Sequence, residues 1–145
     1  MAIAERTATT GWDGDLAHGH GSVHGASGAL GDLPVTWASR TERSEGQTSP
    51  EELVAAAHSS CFSMALSHGL AQAGNPPDHL ETSARVTLDQ REGAPTVTTS
   101  ELSVRGRVPG IDQEAFERAA REAARNCPIS RALQGLEISV DAKLE

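Results

Sequence analysis

Ser49-Pro-Glu-Glu-Leu-Val-Ala-Ala-Ala-His-Ser-Ser-Cys-Phe-Ser-Met-Ala-Leu66 is the stretch on which the fold turns. Ser49 is a capping residue, Pro50 suits the first helical position, and Glu52 stands three residues after the cap. The run continues to Gly74, a natural stop ahead of Pro76 and Pro77. At about 1.5 Å per residue such a helix is about 36 Å long. Val54, Ala57, Cys61, Met64, Ala65 and His68 recur at helical spacing and predict its packed stripe. The middle, Ala55 to Cys61, is small all round, so neighbours can approach on several faces. A long central helix is the expected result.

Outward from this helix the pattern changes period. Residues 1–37 are Gly-rich, with turn signals at Trp12-Asp-Gly-Asp15, Gly25-Ala-Ser-Gly28 and Gly31-Asp32. The short runs between them predict a meander with strands at about 3–12, 19–25 and 27–31. Residues 38–48 are polar and turn-rich and read as a loop. Beyond the helix, Thr82, Ala84, Val86 and Leu88 alternate, as do Leu102, Val104 and Val108 after a turn at Glu92-Gly-Ala-Pro95. Ser103, Arg105 and Arg107 face the other way, which predicts a hairpin. Asp112 caps a second helix with Phe116, Ala119, Ala120, Ala123, Ala124 and Cys127 on one stripe. Pro128 ends it and opens a short turn over 128–133, and residues 136–144 alternate as a closing strand. The order βββ–α–ββ–α–β predicts an α+β fold in a single domain over 1–145.

Composition bounds what this fold can do. Leu, Ile, Val and Phe together number 26 of 145 residues, and the net charge is −8. Such a chain is near the composition of disorder, but the consistent helix and strand faces rule disorder out. The missing apolar volume comes from 22 alanines. A long helix with small residues on several sides is poorly equipped to bury itself alone, which predicts an obligate homodimer with Cys61 at its seam. No run of 18 apolar residues predicts a membrane span, and the start lacks the apolar core of a secretory signal. Twenty acidic against twelve basic residues argue against nucleic-acid binding. Two cysteines are too few for a disulfide scaffold, and a reducing cytoplasm is the expected compartment.

The cysteines are the leading chemical candidates. Each ends up on an inward-facing helix surface, and if they meet they form a couple of attacking and resolving thiols. Cys127 stands directly before a Pro that opens a helical turn, where free backbone N–H groups gather. Cys61 is twelve residues into its helix, too far for the N-terminal dipole, so a thiolate there needs an outside cation. Arg40 and Arg43 are the nearest in sequence. His58, three residues before Cys61, either tunes the thiol or packs as a core histidine. His18, His20 and His24 share the N-terminal meander, but no Cys or carboxylate of suitable spacing completes a metal site, and none is expected.

Thr48 to Leu66 closely resembles the signature of the OsmC/Ohr family of thiol peroxidases. Asn126-Cys-Pro-Ile-Ser-Arg-Ala-Leu133 is similar to the family's second-cysteine motif, and Val108-Pro-Gly-Ile-Asp112 and Gly11-Trp-Asp-Gly-Asp15 fit the OsmC branch. The resemblance implies antiparallel sheets packed on two helices in an intertwined homodimer. It also implies a cysteine peroxidase for organic hydroperoxides, and more weakly hydrogen peroxide, needing no metal, haem, flavin or other cofactor. Cys61 then matches the peroxidatic cysteine, Cys127 the resolving one, Arg40 the active-site arginine and Glu51 its partner carboxylate. The loop from Arg40 to Pro50 is one residue longer than in typical members, which keeps Arg43 as the alternative. The family suggests a lipoylated protein or thioredoxin-type dithiol as reductant. A non-catalytic peroxide sensor using the same cysteine pair is the alternative function.

One geometric expectation follows. Glu51 and Cys61 are ten residues apart on one helix, about 15 Å along its axis. One Arg cannot easily touch both within a chain, so Glu51 and Arg40 are expected to serve Cys61 of the partner subunit. Phe62, Met64 and Phe116 are candidates for an apolar substrate lining, with Phe62 turned about 100° from Cys61 toward the dimer core.

Overall fold

Short runs punctuated by glycine make a meander of the first residues: β1 (Ala8–Asp13), β2 (His20–Gly25) and β3 (Leu33–Val35), antiparallel in the order β1-β2-β3. A computed structural model describes all of residues 1–145, and its contacts divide them into two units, Met1–Leu53 and Val54–Glu145. In the first unit, β2 alternates strictly, with Gly21, Val23 and Gly25 buried and His20, Ser22 and His24 exposed. The third strand is not at 27–31. There Gly28, at φ +84°, turns the chain, and Gly25 N–H donates to Leu30 O at 2.8 Å, so pairing resumes only at Leu33.

Residues 38–48 are not all loop. Thr36 and Ser39 form a reciprocal capping box that starts a helical turn, α1 (Trp37–Thr41). Thr48 then returns to the sheet: its N–H donates to Pro34 O at 2.8 Å, and the Ser39 hydroxyl donates to Thr48 O at 2.9 Å. This closure delivers the chain to the long helix α2 (Pro50–Gln72), whose Glu52 N–H is capped by Ser49 Oγ at 3.1 Å.

In the second unit, β4 (His79–Arg91) and β5 (Ala94–Arg107) make the expected hairpin. Its turn narrows to Glu92-Gly93, both at positive φ (52° and 79°), as a two-residue turn matching strand twist requires. Asp112 caps α3 (Gln113–Asn126), α4 (Pro128–Ala132) follows Cys127, and β6 (Glu137–Leu144) closes the sheet. The antiparallel expectation holds for β4 with β5, but β6 runs parallel to β5, because the helical crossover through α3 and α4 brings it back in the same direction.

The α3 stripe is as read, with Phe116, Ala120, Ala123, Ala124 and Cys127 buried. The α2 stripe is not. Its buried line is His58, Phe62, Leu66 and Leu70, while Ala57, Met64 and His68 are exposed, Met64 at 72%. Four-residue spacing keeps that line on one face, and Cys61 and Ala65 flank it, half-buried. Phe62 is thus in the chain's own core with Phe116, and neither reaches a surface to line a substrate site. Gly106 lets Phe116 lie against β5: a Cβ there would come within 2.5 Å of the Phe116 ring. No helix is long and apolar enough to cross a membrane.

Candidate active site

Each unit carries one cluster of reactive groups. In the first, α1 holds Arg40 beside the start of α2. Arg40 Nε donates to Glu51 Oε1 and Oε2 at 3.0 and 3.2 Å, and Nη2 donates to Oε1 at 2.9 Å. The fork is two-pronged and charge-assisted, with Glu51 buried and Arg40 about a third exposed. Arg40, not Arg43, is therefore the partner of Glu51. The guanidinium also lies 5.9 Å from the Trp37 ring centroid. Beside it opens a cavity of about 450 Å³, lined chiefly by Trp12, Leu16, Val23, Trp37 and Leu53, with Arg40 its charged group. Sequence reading missed Trp12, Leu16 and Trp37, whose shared cavity depends on strand register and on the unforeseen α1.

In the second unit, Cys61 and Cys127 are free thiols of one packed cluster, Cys127 fully buried in it and Cys61 half-buried against it. Burial pushes the Cys61 thiol up from its ordinary value of 9.0; the Ile129 N–H pulls it down, and the neighbouring Cys127 raises it further. The Ile129 N–H is the one contributor that favours a thiolate. Cys127 caps α4, its Sγ accepting from Ser130 N–H at 3.2 Å, so the Cys-Pro sequence places sulfur and helix start together.

Both ring nitrogens of His58 are engaged by groups other than Cys61. His58 is fully buried, with Nδ1 2.6 Å from Ser100 Oγ on β5 and Nε2 2.8 Å from Ser130 Oγ on α4. Ser130 Oγ is in turn 3.1 Å from Cys127 Sγ. Burial lowers the His58 pKa below 6.5 and keeps the imidazole neutral. Ser100 and Ser130 were not singled out from sequence; Ser130, three residues after an N-cap, was the available signal.

His18, His20 and His24 stay on the exposed hairpin and do not converge. Contrary to the sequence reading, each has a carboxylate within reach: Asp15 at 3.1 Å, Asp13 at 3.9 Å and Asp32 at 3.7 Å. These are three separate pairs, and no third ligand joins any of them.

A family model described as OsmC-like protein matches residues 43–143, through both units. Peroxiredoxin OsmC of Escherichia coli (strain K12) is 40% identical over 134 residues, 92% of this chain and 92% of that protein. Among solved structures, the organic hydroperoxide resistance protein OhrB of Bacillus subtilis gives a TM-score of 0.72 at 26% identity, over 96% of this chain and 98% of that one. An organic hydroperoxide resistance protein from Elizabethkingia anophelis gives 0.76 at 24% identity, over 99% and 100%, a likeness of fold.

Proposed function

This chain belongs to the OsmC family, and from that premise we propose that it reduces organic hydroperoxides, and hydrogen peroxide more weakly, through Cys61 and Cys127. It is a thiol-dependent peroxidase, and residues 1–145 act as one OsmC-like domain. The observation that supports this reading is the pair of free thiols in one packed cluster, Cys127 buried and Cys61 half-buried against it.

The Cys61 thiolate attacks one peroxide oxygen, the O–O bond breaks, and the departing alkoxide takes a proton to leave as alcohol. Cys61 becomes a sulfenic acid. Cys127 then attacks that sulfur, expelling water and closing a disulfide before further oxidation can occur. A dithiol, from a lipoylated protein or a thioredoxin-type reductant, reopens it by exchange. The reaction needs no cofactor and suits a reducing cytoplasm.

Arg40 supplies the cation that Cys61 lacks in its own surroundings, stabilising thiolate and leaving alkoxide together. Glu51 engages Nε and Nη2 and fixes the guanidinium plane, so Nη1 can face the reacting atoms. The apolar cavity beside Arg40 suits an alkyl chain better than hydrogen peroxide. Because Glu51 and Cys61 stand ten residues apart on α2, Arg40 and Glu51 serve Cys61 of a second copy in a homodimer. The exposed α2 face with Ala57 and Met64, small and apolar without a partner in its own chain, supports that contact.

The test is steady-state consumption of an alkyl hydroperoxide with a dithiol reductant. Wild type turns over and Cys61→Ser does not; a wild type that forms the disulfide yet fails to turn over would be a sensor instead. Mixing Cys61→Ser with Arg40→Ala subunits restores activity if the site is shared, and leaves none if each chain builds its own.

A further inference from the structure

His58 is a fully buried titratable group that the chemistry above does not use. A core position three residues before a reactive cysteine could take an apolar residue; here an imidazole is held at both nitrogens. Ser100 Oγ stands 2.6 Å from Nδ1, Ser130 Oγ 2.8 Å from Nε2, and Ser130 Oγ 3.1 Å from Cys127 Sγ. All four residues are buried, and every buried polar side-chain atom has a partner. The chain Ser100–His58–Ser130–Cys127 is therefore continuous and ends on the sulfur assigned to resolution.

We propose that His58, acting through the Ser130 hydroxyl, takes the Cys127 thiol proton as Cys127 attacks the Cys61 sulfenic acid. This rests on the reading of Cys127 as the resolving thiol. A neutral imidazole has one donor and one acceptor nitrogen. With Nδ1–H donating to Ser100 Oγ, Nε2 accepts from the Ser130 hydroxyl, whose oxygen then accepts from the Cys127 S–H.

During resolution the thiol proton moves to Ser130 Oγ as the Ser130 hydroxyl proton moves to Nε2. The Cys127 sulfur pair forms the S–S bond, and the Cys61 S–O bond breaks with its pair on the departing hydroxide. Cys127 sulfur is oxidised and Cys61 sulfur reduced. The imidazolium then returns its proton to Ser130 Oγ as the Ser130 hydroxyl gives its own to the departing hydroxide, which leaves as water. The net change is sulfenic acid plus thiol to disulfide plus water, and the chain ends as it began. Ser130 touches the reacting sulfur and is the catalytic member. His58 is a positioning residue that supplies the base at one remove, and Ser100 anchors its other nitrogen.

Rapid quenching after an equivalent of alkyl hydroperoxide, with mass spectrometry of sulfenic acid and disulfide, separates the two steps. Wild type shows both species in sequence, with disulfide closure slowed in D₂O. In His58→Gln, which can still hydrogen-bond but is not basic, sulfenic acid forms at the wild-type rate. Its closure slows about tenfold or more and loses the isotope effect. Ser130→Ala behaves likewise and Ser130→Thr restores closure; this pair decides the matter if His58→Gln does not fold. Unchanged closure in both His58→Gln and Ser130→Ala overturns the relay while leaving the peroxidase intact, and so does equal slowing of both steps, which marks a packing role. Sulfenic acid in wild type without any disulfide would instead overturn the reading of Cys127, and the relay with it.

Discussion

In Met1–Leu53 the buried apolar residues are Val23 and Val35, and β1 is exposed at every position, whereas Val54–Glu145 holds the whole core cluster around Phe62 and Phe116. The reactive groups divide along the same line. The thinly packed unit carries a charged pair, Arg40–Glu51, beside an open apolar cavity. The well-packed unit carries two cysteines and an imidazole between serines. The fork holds the Arg40 guanidinium in place, whereas burial disfavours the charged forms of Cys61 and His58. The cation thus lies in one kind of environment and the thiols in another, and the shared site proposed for a homodimer would combine the two.

The largest expected effect tests the packing half of that contrast. Phe116→Ala should cost about 3–5 kcal/mol in urea unfolding, against about 1.5 kcal/mol for Val23→Ala. Equal losses would mean that the first unit is as well buried as the second. Next, Arg40→Ala should lower kcat/KM for an alkyl hydroperoxide about 100-fold and move alkylation of Cys61 by iodoacetamide to higher pH. Arg40→Lys should recover only part, since a point charge cannot reproduce the fork to Glu51. An unmoved alkylation profile would separate the charged pair from the thiol.

A smaller effect is pH-dependent. Burial lowers the folded-state pKa of His58 below its unfolded value of 6.5, so below that pH the unfolded chain binds the extra proton. Stability should hold above about pH 6.5 and fall as pH drops through that value, with a shallower fall in His58→Gln by thermal melting. Smallest of all, replacing His18, His20 and His24 together with Gln should change stability by no more than about 0.5 kcal/mol, because each sits exposed beside its own aspartate. A larger change would give the N-terminal histidines a structural weight their exposure denies.

The two main helices show where periodicity is legible. On α3 the apolar line from Phe116 to Cys127 contrasts with Arg and Glu on the other side, and it is the face that packs. On α2 two lines compete: Val54, Ala57, Cys61, Met64, Ala65 and His68, and His58, Phe62, Leu66 and Leu70. The second is buried, although it begins with a histidine. Hydropathy counts that imidazole as polar, and it cannot register partners 42 and 72 residues away that satisfy both nitrogens. The capping box at Thr36 and Ser39 was legible in principle, but short polar residues write turns and caps alike.

The sequence by itself determined the α+β order, the long α2, the α3 face and the identity of both cysteines, because caps, turns and alternation act over a few neighbouring residues. Only the tertiary structure decided that Arg40 rather than Arg43 pairs with Glu51, that β6 runs parallel to β5, and that Cys61 and Cys127 share one packed cluster. It alone tied His58 to Cys127 through Ser130, rather than to Cys61 three residues away. Those outcomes depend on which distant groups share a dry interior, where every hydrogen bond must find its partner inside the fold.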